Sequence, residues 1–139
     1  MAQTQIQMDK KHYQMLKDIF VNTYPYEACG VLTGGEIENR IYDIVDIQNI
    51  AALDLRKKSF EISSLDIYKL EREGYQPLGF YHSHPDAPAI LSEEDKAHMI
   101  PEVIYIVASV KRTYVSELKG YIRTGADLNQ IEELSIRIA

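Results

Sequence analysis

Two histidines one residue apart, followed at once by proline, constrain this chain more than any other feature: His82-Ser83-His84-Pro85. The run ahead of them, from Pro77, is apolar and aromatic and reads as a strand to Ser83, whereas Pro85, Asp86, Ala87 and Pro88 cannot continue a ladder. On a strand, residues i and i+2 point to one face, so both imidazoles can converge on one ion. The chain then returns through Ser92 into a helix whose first turn holds Glu93, Glu94 and Asp95, the sign of charge that a helix N-terminus favours. Asp95 can thereby bring a carboxylate back to the same corner. Two imidazoles and one carboxylate around Zn²⁺ leave a fourth tetrahedral position for water, which separates a catalytic zinc from a closed structural one. A single cysteine, Cys29, is too few for the thiolate-rich structural sites. Water activated by zinc still needs a base for its proton. Glu27, directly ahead of the apolar run Ala28 to Thr33, is the candidate, provided that its strand neighbours the His82 strand.

The remaining pattern frames that segment. Asp9 is placed to cap a helix over 10–23, with Tyr13, Leu16, Ile19 and Phe20 on one face and Pro25 beyond its end. Ala28 to Thr33 and a longer stretch with Ile37, Ile41, Val45 and Ile47 at period two form a hairpin, in which Gly34-Gly35 are expected to supply positive φ. Residues 50–58 carry Arg56, Lys57 and Lys58 without periodicity and read as a surface loop, leading to a short strand over 59–62. Ser63 and Asp66 have capping-box spacing and Gly74 follows, so 64–73 should be a helix. Val103 to Ala108 is apolar throughout, as in a strand buried on both faces. Tyr114 to Ile122 and Leu134 to Ile138 complete the strands. The order implies a mixed α/β (α+β) domain with a largely antiparallel sheet.

Glu27-Ala28-Cys29-Gly30-Val31-Leu32-Thr33-Gly34, then His82-Ser83-His84-Pro85, six residues, and Ser92-Glu93-Glu94-Asp95 closely resemble the JAMM/MPN+ (Mov34/MPN/PAD-1) zinc metalloproteases, with the pattern glutamate followed by H-x-H-P-x6-S-x-x-D. The resemblance spans nearly the whole chain and implies one MPN domain over 1–139, a mostly antiparallel curved sheet flanked by helices and cytidine-deaminase-like in its fold. It implies His82, His84 and Asp95 as ligands of one Zn²⁺ and Glu27 as general acid/base. Ser92 would hydrogen-bond the oxyanion. It further implies hydrolysis of a peptide or isopeptide bond. The near-bare core is similar to the small stand-alone prokaryotic members, some of which act on ubiquitin-like or sulfur-carrier proteins ending in Gly-Gly.

Each residue also has a structural role to weigh. Ser92 with Asp95 is equally a capping box, Cys29 a small buried strand residue, and His12 and His98 packing or surface residues. The metallo-β-lactamase signature H-x-H-x-D-H fails at Ala87, H-E-x-x-H is absent, and one cysteine excludes the zinc deaminase pattern. Fifteen Lys and Arg against 21 Asp and Glu give a net charge of −6, which argues against nucleic acid as the main partner. With 45% hydrophobic residues and no apolar run long enough for a membrane span or a signal peptide, the expectation is a cytoplasmic globular chain. Two other readings stand beside the peptidase: a non-catalytic MPN scaffold, and a phage or cell-wall peptidase of the same core.

Overall fold

The computed structural model describes residues 5–35, 38–75, 77–125, 127 and 130–139. A strand β1 (Gln5–Met8) leads directly into helix α1 (Lys10–Thr23), capped as its sequence predicts: the Asp9 carboxylate accepts from the His12 amide at 2.9 Å. Strands β2 (Cys29–Gly35) and β3 (Arg40–Ile47) form the hairpin, and a single 3₁₀ turn, Leu53–Leu55, interrupts the loop after it. Helix α2 (Ser64–Arg72), strand β4 (Pro77–Pro85) and the short helix α3 (Glu93–His98) follow. Strands β5 (Ile104–Val110), β6 (Val115–Arg123) and β7 (Ile131–Ile138) end the chain.

One curved sheet holds all seven strands in the order β1-β3-β2-β4-β5-β6-β7. The pairs β2/β3, β2/β4, β5/β6 and β6/β7 are antiparallel, and β4/β5 is parallel. β1 closes the curve, running parallel to β7 over four residue pairs and meeting β3 at one. This is the mixed, mostly antiparallel sheet flanked by helices that the resemblance implies. Sheet curvature makes a hollow that α1 fills: Leu16 and Phe20 pack with Ile6, Leu32, Tyr81 and Ile106 in the main core, and the Phe20 and Tyr81 rings meet edge to face at 5.6 Å. A second apolar cluster, with Ala89, Leu91, Met99, Tyr105 and Tyr121, packs the 86–100 excursion against the sheet. β5 is buried along its whole length, as its unbroken apolar run requires. Among the described residues no helix is long and apolar enough to cross a membrane.

Five local expectations are corrected. β4 does not stop at Ser83 but runs to Pro85, which pairs with Val110 of β5; proline has no N–H to give, and the next amide, Asp86 N, donates to the Val110 carbonyl at 2.8 Å. Gly34 and Gly35 lie within β2, and the only described glycine with positive φ is Gly74, at 92° after α2. Gly34 is needed for close approach instead, because a Cβ there would stand 1.9 Å from the Arg40 carbonyl oxygen. The ladder slips between Thr33 and Gly34, where Asp43 pairs with Thr33 and Ile41 with Gly34. That bulge shifts the phase of β3, so Ile41 and Ile44 enter the main core and Val45 and Ile47 do not; Ile37 lies outside the described residues. Residues 59–62 join no ladder and are held by the Ile50 amide, which donates to the Glu61 carbonyl at 2.9 Å, and by side-chain hydrogen bonds described below. Ser63 caps α2 through the Leu65 amide at 3.2 Å, without the reciprocal Asp66 contact.

Candidate metal centre

β4 carries its histidines to the end of the sheet. Cys29 pairs with His82 in the β2/β4 ladder, so Glu27, two residues before Cys29, arrives beside His84. The strand adjacency on which Glu27 depended is therefore present. Between the histidines, Ser83 turns the other way: its Oγ accepts from the Ala28 amide at 2.8 Å, and its own amide donates to the Ala28 carbonyl at 3.1 Å. Glu27 is tethered by its backbone as well, its N–H donating to the Arg56 carbonyl at 2.7 Å and its carbonyl accepting from Asn49 Nδ2 at 3.1 Å.

His82 Nε2, His84 Nε2 and Asp95 Oδ2 converge. The His82–His84 separation is 3.2 Å, and each nitrogen lies 3.1 Å from Asp95 Oδ2. Ligand atoms about 2.0–2.1 Å from a tetrahedral zinc are about 3.3 Å apart, so the three atoms already stand close to that spacing. His84 Nδ1 is 2.9 Å from the Pro88 carbonyl oxygen, which can only accept, so the neutral ring carries its proton on Nδ1 and presents a lone pair at Nε2. His82 Nδ1 is buried without a partner, leaving all of that ring's hydrogen-bond contacts at Nε2. Three facing atoms share at most one proton when both rings are neutral; a cation satisfies all of them. Glu27, His82 and His84 form a possible metal-binding group in which one ligand atom of each lies within 4.8 Å of the others.

Electrostatics agree with this arrangement. Burial pulls the His82 pKa down, and contact with Asp95 only partly opposes it. For His84 burial again pulls down, but the hydrogen bonds to Asp95 and the Pro88 carbonyl outweigh it and the pKa rises. Asp95 is half-buried, which raises its pKa, yet the two histidines hold its carboxyl well below the usual carboxylate range. Glu27, 3% exposed, is pushed up to about 8 by burial first; the His84 charge opposes the rise, and those of Asp95 and Glu94 add to it.

Ser92 and Asp95 form the full capping box of α3. Asp95 N donates to Ser92 Oγ at 3.0 Å, and Ser92 N donates at 2.9 Å to Oδ2, the same oxygen that faces the histidines. One carboxylate thus both caps α3 and faces the two imidazoles, and the Ser92 hydroxyl keeps its own proton to donate. Cys29 is buried with its thiol pushed up to about 12, first by desolvation, which suits packing and not nucleophilic attack. His98 Nδ1 bonds the Glu94 carbonyl at 2.9 Å on α3, away from the cluster of ligand atoms.

His82 and Asp95 also form one end of a cavity of about 510 Å³, walled by Phe60, Phe80, Leu91, Met99 and Tyr105. Phe60 stacks on the His82 ring at 4.5 Å, and Ser59 Oγ donates to Glu94 at 2.9 Å across the cavity rim. Asn49 holds this wall with every hydrogen-bonding position of its amide: Nδ2 donates to Glu27 O and Ser59 O at 3.1 Å, and Oδ1 accepts from Ala51 N at 3.0 Å and Glu61 N at 3.1 Å. Sequence reasoning missed Asn49: only its bond to Ala51 is local, and its other partners lie ten or more residues upstream and downstream.

The sequence pattern of the family described as prokaryotic homologs of the JAB domain matches residues 9–119. A curated relative, Desampylase of Haloferax volcanii, is 28% identical over 90 residues, which are 61% of this chain and 63% of the relative's length. Protein DSY2949 of Desulfitobacterium hafniense shares the fold with a TM-score of 0.71 at 23% identity, over 96% of this chain and 92% of that one. A structure described as JAMM, a metalloprotease-like zinc site in the proteasome and signalosome, superimposes with a TM-score of 0.61 at 16% identity, over 98% and 99% of the two chains.

Proposed function

Since the chain belongs to the prokaryotic JAB-domain family, we propose that it is a zinc-dependent metallopeptidase that hydrolyses a peptide or isopeptide bond. His82, His84 and Asp95 hold the metal, Glu27 moves the proton, and Ser92 donates to the carbonyl oxygen. The observation that carries this reading is the convergence of three ligand atoms at 3.1–3.2 Å with a buried carboxylate beside them.

A zinc ion there supplies a Lewis acid that brings the pKa of a water to about 7 and polarises a carbonyl. Glu27 accepts a proton from the attacking water as the new C–O bond forms, and delivers it to the leaving amine as the C–N bond breaks. A carboxyl lifted towards neutral pH is suited to both halves of that transfer. Ser92 Oγ, whose lone pair is engaged by the Asp95 amide, directs its proton to the oxyanion. The cavity bounded by His82 and Asp95 receives the substrate chain. The preferred substrate is the C-terminal Gly-Gly tail of a ubiquitin-like or sulfur-carrier protein, a class supported by the relative named Desampylase. A cytoplasmic setting suits a chain whose one cysteine is buried and reduced.

Elemental analysis tests the site: about one zinc per native chain and little in a His82→Ala, His84→Ala double variant. A Gly-Gly-ended small protein fused to a reporter tests the chemistry, with Glu27→Ala retaining zinc and losing hydrolysis. A folded native chain that retains no zinc overturns the peptidase and leaves the scaffold. A Glu27→Ala variant that still cleaves overturns the role of Glu27.

A further inference from the structure

The residues that present Asp95 cannot fix themselves in place. α3 has six residues and none of them is fully buried, so beyond the contacts of Glu94 with Ser59 and of Asp95 with the histidines its position depends on what holds the two ends of the 86–100 excursion. Both ends are gripped from the sheet by tyrosines. Tyr105 of β5 and Tyr121 of β6 are direct cross-strand partners. Tyr121 Oη donates to the Ala89 carbonyl at 2.7 Å, ahead of α3, and the Ile100 amide donates to Tyr105 Oη at 2.8 Å, behind it. Arg123 Nη1 adds a bond to the Met99 carbonyl at 2.9 Å at that second end.

The first grip reaches the metal centre by a short route. Ala89 is fully buried and follows Pro88, whose carbonyl accepts from His84 Nδ1. The Pro88 and Ala89 carbonyls sit on adjacent peptide units, so a hydrogen bond that holds the Ala89 carbonyl limits how far the Pro88 carbonyl can turn away from the imidazole. We propose that the Tyr105–Tyr121 pair positions the metal centre, with Tyr121 fixing the carbonyl that orients His84 and Tyr105 fixing the far end of the segment that bears Asp95. This rests on the reading of His82, His84 and Asp95 as ligands. Groups that orient ligands without touching the metal typically contribute about 10–100-fold in affinity, and Tyr121, one bond further out, belongs at the lower end.

Tyrosine-to-phenylalanine changes remove the hydroxyl and keep the ring that packs in the second cluster. Tyr121→Phe and Tyr105→Phe are compared with Tyr81→Phe, which loses a buried hydroxyl bond to the Val45 carbonyl elsewhere in the sheet. The readout is the zinc dissociation constant, measured by competition with a chromophoric chelator, alongside melting of the zinc-free proteins. Tyr121→Phe is expected to bind zinc about tenfold more weakly, Tyr105→Phe more weakly by a smaller factor, and Tyr81→Phe as the native chain does. Native affinity in Tyr121→Phe, or an equal weakening in Tyr81→Phe, overturns the positioning role. A native chain without zinc affinity is a different result and overturns the ligand reading itself.

Discussion

Glu27 is a carboxylate whose proton the fold controls. Desolvation, the largest cause, lifts its pKa from 4.5 to about 8. Below about pH 4.5 the glutamate is protonated in folded and unfolded chains alike, and its effect on stability is constant. Between 4.5 and 8 the folded, zinc-free protein keeps a proton that the unfolded chain has released, so stability falls as pH rises, by up to about 1.4 kcal/mol per pH unit from this group. Above 8 the loss levels off. Glu27→Gln removes the term, so urea unfolding in the presence of a chelator, from pH 5 to 9, should show the variant gaining on the native chain up to pH 8. A difference independent of pH would mean that the folded protein ionises Glu27 as easily as the unfolded one. Zinc beside the carboxylate works in the opposite direction, favouring the ionised form that receives the proton.

At the level of elements, the segment over 49–62 connects the two halves of the site. Asn49 saturates its amide on Glu27 O, Ser59 O, Ala51 N and Glu61 N, so Asn49→Ala leaves three half-buried backbone groups and one exposed group to find water. The expected loss is about 2 kcal/mol, read from the urea midpoint, with faster trypsin cleavage after Arg56, Lys57 or Lys58 in the folded variant. Unchanged cleavage would mean that Phe60 packing alone holds the segment. Asn49 also marks where the sequence stops being informative. α1, β5 and α3 were legible because their signals are local, a cap and a periodicity. The convergence of His82, His84 and Asp95 was legible for the same reason. The end of β4 was not, since Pro85 still pairs with Val110 in a parallel ladder that only the fold supplies. β1 was not, since its four residues make a strand only by pairing with β7 at the opposite end of the chain. Residues 59–62 form no strand, because the Asn49 side chain and the Ile50 amide take the places of ladder partners. The contacts of Ser83 and Tyr121 are equally non-local, and the β3 phase shift depends on a bulge that no single strand encodes.

For the whole molecule, the metal centre lies at the rim of a fold that has its own interior. The main core, with Phe20 and Leu16 of α1 inside the curved sheet, is built from apolar side chains that pack on one another without the metal, although His82 itself is buried at the end of β4. The zinc-free chain should therefore remain folded, unlike small domains whose folding free energy is metal binding itself. Zinc then acts as a ligand of the native state: at a free concentration 100 times its dissociation constant it adds about 2.7 kcal/mol. For a chain near this size each kcal/mol moves the melting temperature by about 2–4 °C, so chelation should lower it by about 5–10 °C, with far-UV circular dichroism at 25 °C unchanged. The His82→Ala, His84→Ala variant should melt at one temperature with or without chelator, because it has no bound state to lose. Collapse of the native chain on chelation would make zinc part of the core and contradict the separation of the two. A native chain as indifferent to chelator as the double variant would remove the metal from the account of this fold altogether.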